Sequence, residues 1–274
     1  MSKDRIFGFL GNHLNLAEPA DSLSACLDTI FVACACPAQN NQRILDTGCG
    51  IGSAGFCVLH HVPTAHIIGI DRDETLIAYA QKNALTNHLE DQTHFLVHTI
   101  HAGAKPSTDS FLGLHAHSFD HVMCNPPFLH TQKHTLPCPT QTPCRNKALG
   151  HTHTHNEDSQ NENAQNENTS ESDFLSHWLD FIYASLKPRG TLTLIHRADC
   201  MDWLMRILTK RWGAIEIFPL FPHKNAPASR LIIRCVPNRK TPPRLHTGMI
   251  LHDSQGNYTQ EANAILRGES RLSF

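Results

Sequence analysis

Seven short apolar runs punctuate the chain, each bounded by turn-forming residues: 43–46 (RILD), 66–71 (HIIGID), 93–97, 119–124 (FDHVMC), 191–196 (TLTLIH), 215–220 and 231–236. Runs of this length and continuity read as strands buried on both faces of a sheet. Amphipathic stretches alternate with them. Over 173–186 the spacing puts Phe174, Leu175, Trp178, Leu179, Ile182, Tyr183 and Leu186 on one helical face, and 74–85 and 201–212 carry similar stripes. Aromatic stripes of this kind are core. The alternation predicts an α/β, Rossmann-like domain with a mostly parallel, seven-stranded, doubly wound sheet, and it puts ligands at the carboxyl ends of the strands.

One stretch breaks the pattern. HTHTHNEDSQNENAQNENTSES lacks large apolar residues and repeats QNENA directly into QNEN. It cannot bury enough surface to offset its ordering entropy. Residues 131–172 are therefore expected to be a low-complexity insertion, a long loop whose second half is disordered, within a single domain spanning 1–274. The rest of the 274 residues is ordinary in composition: 40% hydrophobic with 15 glycines, which excludes wholesale disorder. No apolar run approaches the ~18 residues of a membrane helix. The start, MSKDRIFGFLGNHLNL, lacks the apolar core and cleavage site of a secretory signal. The expectation is a cytoplasmic protein with no membrane association and no obligate protein partner. Ten cysteines without a C-x-x-C pair do not make a disulfide framework in such a chain. Cys49, Cys57, Cys124 and Cys235 lie in apolar runs, where a thiol behaves as a small hydrophobe.

The formal charge of −2 hides a strong polarity. Residues 187–274 hold fourteen Lys and Arg against six acids, about +8, while 151–173 holds six acids and no Lys or Arg. A basic third is either a solvated surface or a phosphate-facing one, since clustered cations release counterions on binding nucleic acid.

The first run is followed by Asp46-Thr-Gly-Cys-Gly-Ile-Gly-Ser-Ala-Gly55. A glycine turn here lets the backbone approach a ligand and opens a helix whose first amides face it. Gly50 to Gly55 formally satisfies G-x-G-x-x-G, so a nicotinamide or flavin site is one reading and a structural turn is another. Asp46 favours S-adenosylmethionine: in D-x-G-x-G an acid can address the ammonium of the cofactor's methionine part, whereas a pyrophosphate gains nothing from it. Asp71 ends the next run, where a carboxylate can accept both ribose hydroxyls. Asp46, Gly48, Gly50 and Asp71 are the candidate cofactor residues.

Asn125-Pro126-Pro127-Phe128 follows the fourth run. An amino nitrogen conjugated to a ring or carbonyl is a poor nucleophile because its lone pair is delocalised. The Asn125 side-chain oxygen and the Pro126 carbonyl can accept both of its N–H groups and favour a tetrahedral nitrogen, in a turn stiffened by Pro126 and Pro127. Phe128 can stack on a flat acceptor. Positioning then supplies much of the acceleration of an in-line displacement. These four are the candidate catalytic residues, and Asn125 also borders the cofactor. The motif suits adenine N6, guanine N2 and glutamine amides alike.

Residues 15–35, 43–130 and 174–270 resemble the bacterial family of tRNA(Val) adenine-N6 methyltransferases. The pieces are ILDTGCGIGSAG, IGIDRDETLIAYAQKNALTN, FDHVMCNPPF, LKPRGTLTLIHRADCMDWLM, PLFPHKNAPASRLIIR and ILHDSQGNYTQEANAILRG. The first and third are general to Rossmann-like methyltransferases; G-T-L-T-L-I-H-R-A-D and the P-A-S-R and L-H…Y-T…I-L-R segments are more specific. The resemblance implies an S-adenosylmethionine-dependent enzyme acting on tRNA or another structured RNA through its basic last third, with residues 1–40 covering the cofactor. Two departures stand out. The family's Q-P…G-[YH]-R-x-G-x-D opening reads here from Glu18-Pro19 to Asp28, with Ser22, Ser24 and Cys26 in place of the glycines and the arginine. The acid that family members carry near the adenine is replaced in Val97-His98-Thr99. Thr99 offers a weaker, neutral hydrogen bond, so calorimetry is expected to show tighter cofactor binding by Thr99→Asp. A tRNA-binding relative with weakened catalysis, an rRNA guanine-N2 methyltransferase and a protein glutamine methyltransferase are the alternatives. His151, His153, His155, Cys138 and Cys144 match no common zinc spacing, and no metal is expected.

Overall fold

The computed structural model describes residues 4–20, 26–106, 113–126 and 171–274. Pro127, Phe128 and residues 131–170 of the expected insertion, with its histidines and Cys138 and Cys144, lie outside them. The last two insertion residues, Glu171 and Ser172, open a helix.

All seven apolar runs are strands of one sheet. They are β3 (Arg43–Thr47), β4 (His66–Asp71), β5 (Thr93–Val97), β6 (Phe119–Cys124), β7 (Leu186–Arg197), β8 (Trp212–Phe221) and β9 (Arg230–Pro237). Their order is β8-β9-β7-β6-β3-β4-β5, with β9 antiparallel to both neighbours and the pairs from β7 to β5 parallel. Two short strands, β10 (Arg244–Leu245) and β11 (Met249–Ile250), pair with β8 and extend the expected seven strands to nine. Helices α1 (Leu27–Ala35), α2 (Ser53–His61), α3 (Glu74–Thr86) and α6 (Gln260–Leu266) cover one face. Helices α4 (Glu171–Ser185) and α5 (Met201–Leu208) cover the other. Leu45, Val122, Leu194 and Ile233 are fully buried between these layers, as continuous apolar runs require.

Two boundaries differ from the pattern. Lys187-Pro188-Arg189-Gly190 has turn composition, yet Leu186 already pairs with Phe119, and the register shifts before His121 meets Thr191. Arg189 takes a left-handed φ of +70° within this bulge. Likewise the stripe expected to be helical to 212 stops at Leu208, and β8 begins at Trp212 with a bulge around Ala214 at φ +47°.

A hairpin of β1 (Arg5–Phe9) and β2 (Leu14–Glu18) precedes the sheet and pairs with none of it. Two asparagines four residues apart, Asn83 on α3 and Asn87 at its C-cap, hold it. Asn83 accepts from the Ala17 amide (2.8 Å) and donates to the Ala17 carbonyl (3.0 Å), and Asn87 does the same with Asn15 (2.9 and 2.8 Å). Side-chain amides thus serve alternate residues of β2 as a neighbouring strand would.

Candidate active site

The site follows from strand register. Thr47 on central β3 is opposite Ile70 of β4 and Cys124 of β6. The next residues, Gly48, Asp71 and Asn125, therefore leave three adjacent strands at one level, within about 10 Å at ~4.8 Å per strand. Motifs far apart in the chain meet at the carboxyl edge of the sheet because all three strands are parallel.

Gly48, Gly50 and Gly52 have φ values of +70°, +53° and +87°. The amides of Gly48 and Cys49 donate to the Ile70 carbonyl (2.8 and 3.0 Å), and that of Gly50 donates to Asp71 Oδ2 (2.9 Å). Packing adds a second demand at Gly48, where a Cβ would lie 2.8 Å from the Trp178 ring of α4. Asp71 Oδ1 accepts from the Asp73 amide (3.0 Å), and Asp73 caps α3 by accepting from Thr75 and Leu76. Asp71 is thus the strut between the glycine turn and α3. Each carboxylate oxygen keeps a second lone pair for a hydroxyl.

Asp46 is the opposite case. It is 3% exposed, and its Oδ2 has no hydrogen-bond partner. Burial pushes its carboxyl up to about 7; the Gly55 amide opposes this, and the nearby Asp71 adds to it. A buried carboxylate oxygen without a donor is suited to a cation. The ammonium of S-adenosylmethionine is such a group, so the residues present fit that cofactor.

Asn125 is half-buried and Pro126 buried. Asn125 Nδ2 faces Cys26 Sγ at 4.0 Å, which leaves the amide oxygen as an acceptor. Cys26 is the N-cap of α1, and Asp28 in the first turn is bound to Arg230 of β9 (2.8 Å). The unusual opening segment is thereby tied to the P-A-S-R segment and borders Asn125. Asn83 also donates to the Ile51 carbonyl (3.2 Å), joining β2 to the glycine turn.

Thr99 is exposed, two residues beyond β5. The buried polar atom at this strand end belongs to His98, whose Nε2 has no hydrogen-bond partner and whose ring lies 5.3 Å from that of Phe181. Burial lowers the His98 pKa, and His101 adds to this. His98 was not singled out by sequence; an apolar strand run continuing into a histidine was its only signal. His196 ends β7, and burial pulls it down to about 3, so it is a neutral imidazole. Its Nε2 lies 3.5 Å from Glu171, and the donor atoms of Glu171, His196 and Cys200 lie within 4.8 Å of one another. This group could hold a metal ion and shares no residue with the histidines of the insertion. All eight described cysteines are free thiols, and Cys49, Cys57, Cys124 and Cys235 are buried as expected. No helix among the described residues is long and apolar enough to cross a membrane.

Residues 27–141 match the family described as methyltransferase small domain. Two curated relatives, both named ribosomal RNA large subunit methyltransferase G, are similar over about a third of this chain. The one from Colwellia psychrerythraea is 35% identical over 88 residues, 32% of this chain and 20% of its own length. The one from Pseudoalteromonas atlantica is 37% identical over 94 residues, 34% of this chain and 23% of its own length. The matched span is thus about a fifth of these relatives. A "predicted O-methyltransferase" of Agrobacterium tumefaciens, 18% identical, superposes with a TM-score of 0.68 over 90% of this chain and 99% of its own. The fold is that of class I methyltransferases. Together with the matched segment, it defines an S-adenosylmethionine-dependent methyltransferase domain.

Proposed function

We propose that this protein transfers a methyl group to an exocyclic amino group of RNA, with adenine N6 of a tRNA as the acceptor. The observation that carries the reading is the common level of Gly48, Asp71 and Asn125 on three parallel strands, with the partnerless Asp46 oxygen beneath them. S-adenosylmethionine supplies a methyl group activated by a sulfonium. Asp46 holds the ammonium, the backbone at Gly48 and Gly50 makes room for the methionine part, and Asp71 takes the ribose hydroxyls while bracing the turn. Thr99 borders the adenine end. The Asn125 oxygen and the Pro126 carbonyl accept the two N–H bonds of the acceptor nitrogen and turn its lone pair toward the methyl group, in a turn completed by Pro127, with Phe128 stacking on the base. No general base is required, because the methylated amine can lose its proton to water; neutral His196 has no part in that step. Residues 1–40 cover the cofactor through β2 and α1, and 131–172 is an insertion in a single domain. The enzyme works in the cytoplasm.

The tRNA acceptor rests on the resemblance of the last third, which lies outside the residues 27–141 matched by the family model. The names of the curated relatives favour an rRNA substrate, and guanine N2 of rRNA is the second reading. Mass spectrometry of nucleosides from tRNA and rRNA, from cells with and without the gene, separates the two. Loss of N6-methyladenosine from tRNA supports the first reading and loss of N2-methylguanosine from rRNA the second. Unchanged nucleosides in both fractions would overturn the assignment to RNA.

A further inference from the structure

We propose that His223, Lys224, His252 and Tyr258 form a docking subsite for nucleotides flanking the one that is methylated. The inference rests on the RNA reading above. It starts from the L-H…Y-T segment, which the acceptor chemistry leaves unused.

The turn between β8 and β9 and the segment after β11 emerge together at the carboxyl edge of the sheet, the edge that bears Asn125. The Leu251 amide donates to the Phe221 carbonyl (2.8 Å), and the amide and Nδ1 of His252 donate to the Pro222 carbonyl (3.1 and 3.0 Å). Backbone thus fixes the His252 ring at the strand end. Tyr258 stacks on it with centroids 4.7 Å apart and planes 29° apart, and His223 lies 5.3 Å away. His252 thus contacts both other rings. Both of those are accessible: His223 is exposed, and Tyr258 is 38% exposed although it is a large aromatic. Lys224 is exposed beside them and makes no ion pair with any described residue. The nearest acid in sequence, Asp253, is occupied by the amides of Gln255 and Asn257 (both 2.9 Å). Exposed aromatic rings next to an ammonium that no described acid holds suit a base and its phosphate.

The separation decides which nucleotides these are. From β11 to β6 the path crosses β8, β9 and β7, about 19 Å at ~4.8 Å per strand. At ~3.4 Å per stacked nucleotide that is five or six positions along a strand. The subsite therefore takes the flank of the acceptor, not the acceptor itself.

The test measures methylation kinetics on an in vitro transcript of the tRNA, or on the rRNA fragment if that is what the wild type methylates. A matched RNA with the flanks trimmed to two nucleotides on each side of the acceptor serves as control. Tyr258→Ala is expected to raise KM for the long RNA roughly 5- to 100-fold, with kcat and cofactor affinity unchanged, and Tyr258→Phe to restore it. Lys224→Ala is expected to lower the salt dependence of binding by about one phosphate contact. Neither variant should change KM for the trimmed RNA. Unchanged KM on the long RNA, equal losses on both RNAs, or a matching loss of cofactor affinity would each overturn the subsite. A wild type that methylates neither RNA would overturn the RNA reading, a result distinct from all of these.

Discussion

The two edges of the central sheet differ in how their charges are held. At the carboxyl edge, Arg197 and Arg230 are each held by an acid, Asp199 and Asp28, and a buried carboxylate, Asp46, keeps an oxygen without a partner. At the amino edge, Arg189, Lys210, Arg239 and Lys240 are exposed and make no ion pair with any described residue. The carboxyl edge thus combines paired arginines and an unpartnered carboxylate oxygen with one exposed lysine, Lys224, while exposed cations without an ion pair to a described residue are more numerous at the amino edge of β7, β8 and β9. The +8 of the last third does not reveal this division. Three acids outside that third, Asp28, Asp120 and Asp180, pair with Arg230, Lys187 and Arg211 inside it. Net charge states how much cation there is, not where it is free.

The largest effect is expected from Asn125→Ala. Losing a preorganised acceptor at the reacting nitrogen should lower kcat by about 10²- to 10³-fold, with far less change in cofactor affinity, as read by labelled-methyl turnover and calorimetry. Comparable turnover would place the chemistry elsewhere on this edge.

Asp46→Asn separates the edges by pH. The ammonium needs the ionised carboxylate, so wild-type cofactor affinity should rise as pH passes through about 7, the value to which burial lifts Asp46. The variant should bind at least tenfold more weakly at neutral pH and lose this dependence. Stability of the cofactor-free protein should move the other way. A carboxyl at about 7 when folded and ~3.9 when unfolded binds more protons in the fold. Its contribution is full below about pH 4 and is lost as pH rises through about 7. Asp46→Asn should therefore melt higher than wild type above pH 7, and calorimetric scans across pH would show a parallel pair of curves if the carboxylate is unimportant.

Asn83→Ala should cost about 1–3 kcal/mol by leaving buried backbone groups of β2 without partners. Faster hydrogen exchange in β1 and β2, with β3 unchanged, is the expected signature. Equal exchange in both would show that the hairpin is held by other contacts.

The smallest effect is expected from the double substitution Arg239→Ala, Lys240→Ala at the amino edge. RNA binding at low salt should weaken, and the salt slope should fall by up to about 1.4–1.8, while kcat stays the same. A fall in kcat would erase the distinction between the edges.

The strands β3, β4, β6, β7, β8 and β9 were legible because each contains a self-contained apolar run whose burial leaves a signal that does not depend on neighbours; β5, at the sheet edge, is a strand as expected but is not buried on both faces, since it buries only Phe95 and leaves His94 and Val97 exposed. The bulges at Arg189 and Ala214 were not legible, since their residues look like those of turns and loops and their pairing is settled across the sheet. The hairpin β1–β2 was illegible for the same reason: its anchors, Asn83 and Asn87, sit among ordinary helix residues and act on a segment more than sixty residues away. In the site, Asp46, Asp71 and Asn125 stood out through their positions at strand ends. Their unlike environments did not.

Local order along the chain was enough to determine the class of fold, the glycine turn and the place of Asn125 at the end of a strand, because short-range sterics and apolar continuity act over a few residues. Tertiary structure decided that one oxygen of Asp46 has no hydrogen-bond partner while Asp71 braces a turn, and that the polar atom buried beside β5 is the His98 Nε2 while Thr99 is exposed. Solvation and pairing of a charged group depend on everything packed around it, and parallel strands bring those surroundings from segments tens of residues apart.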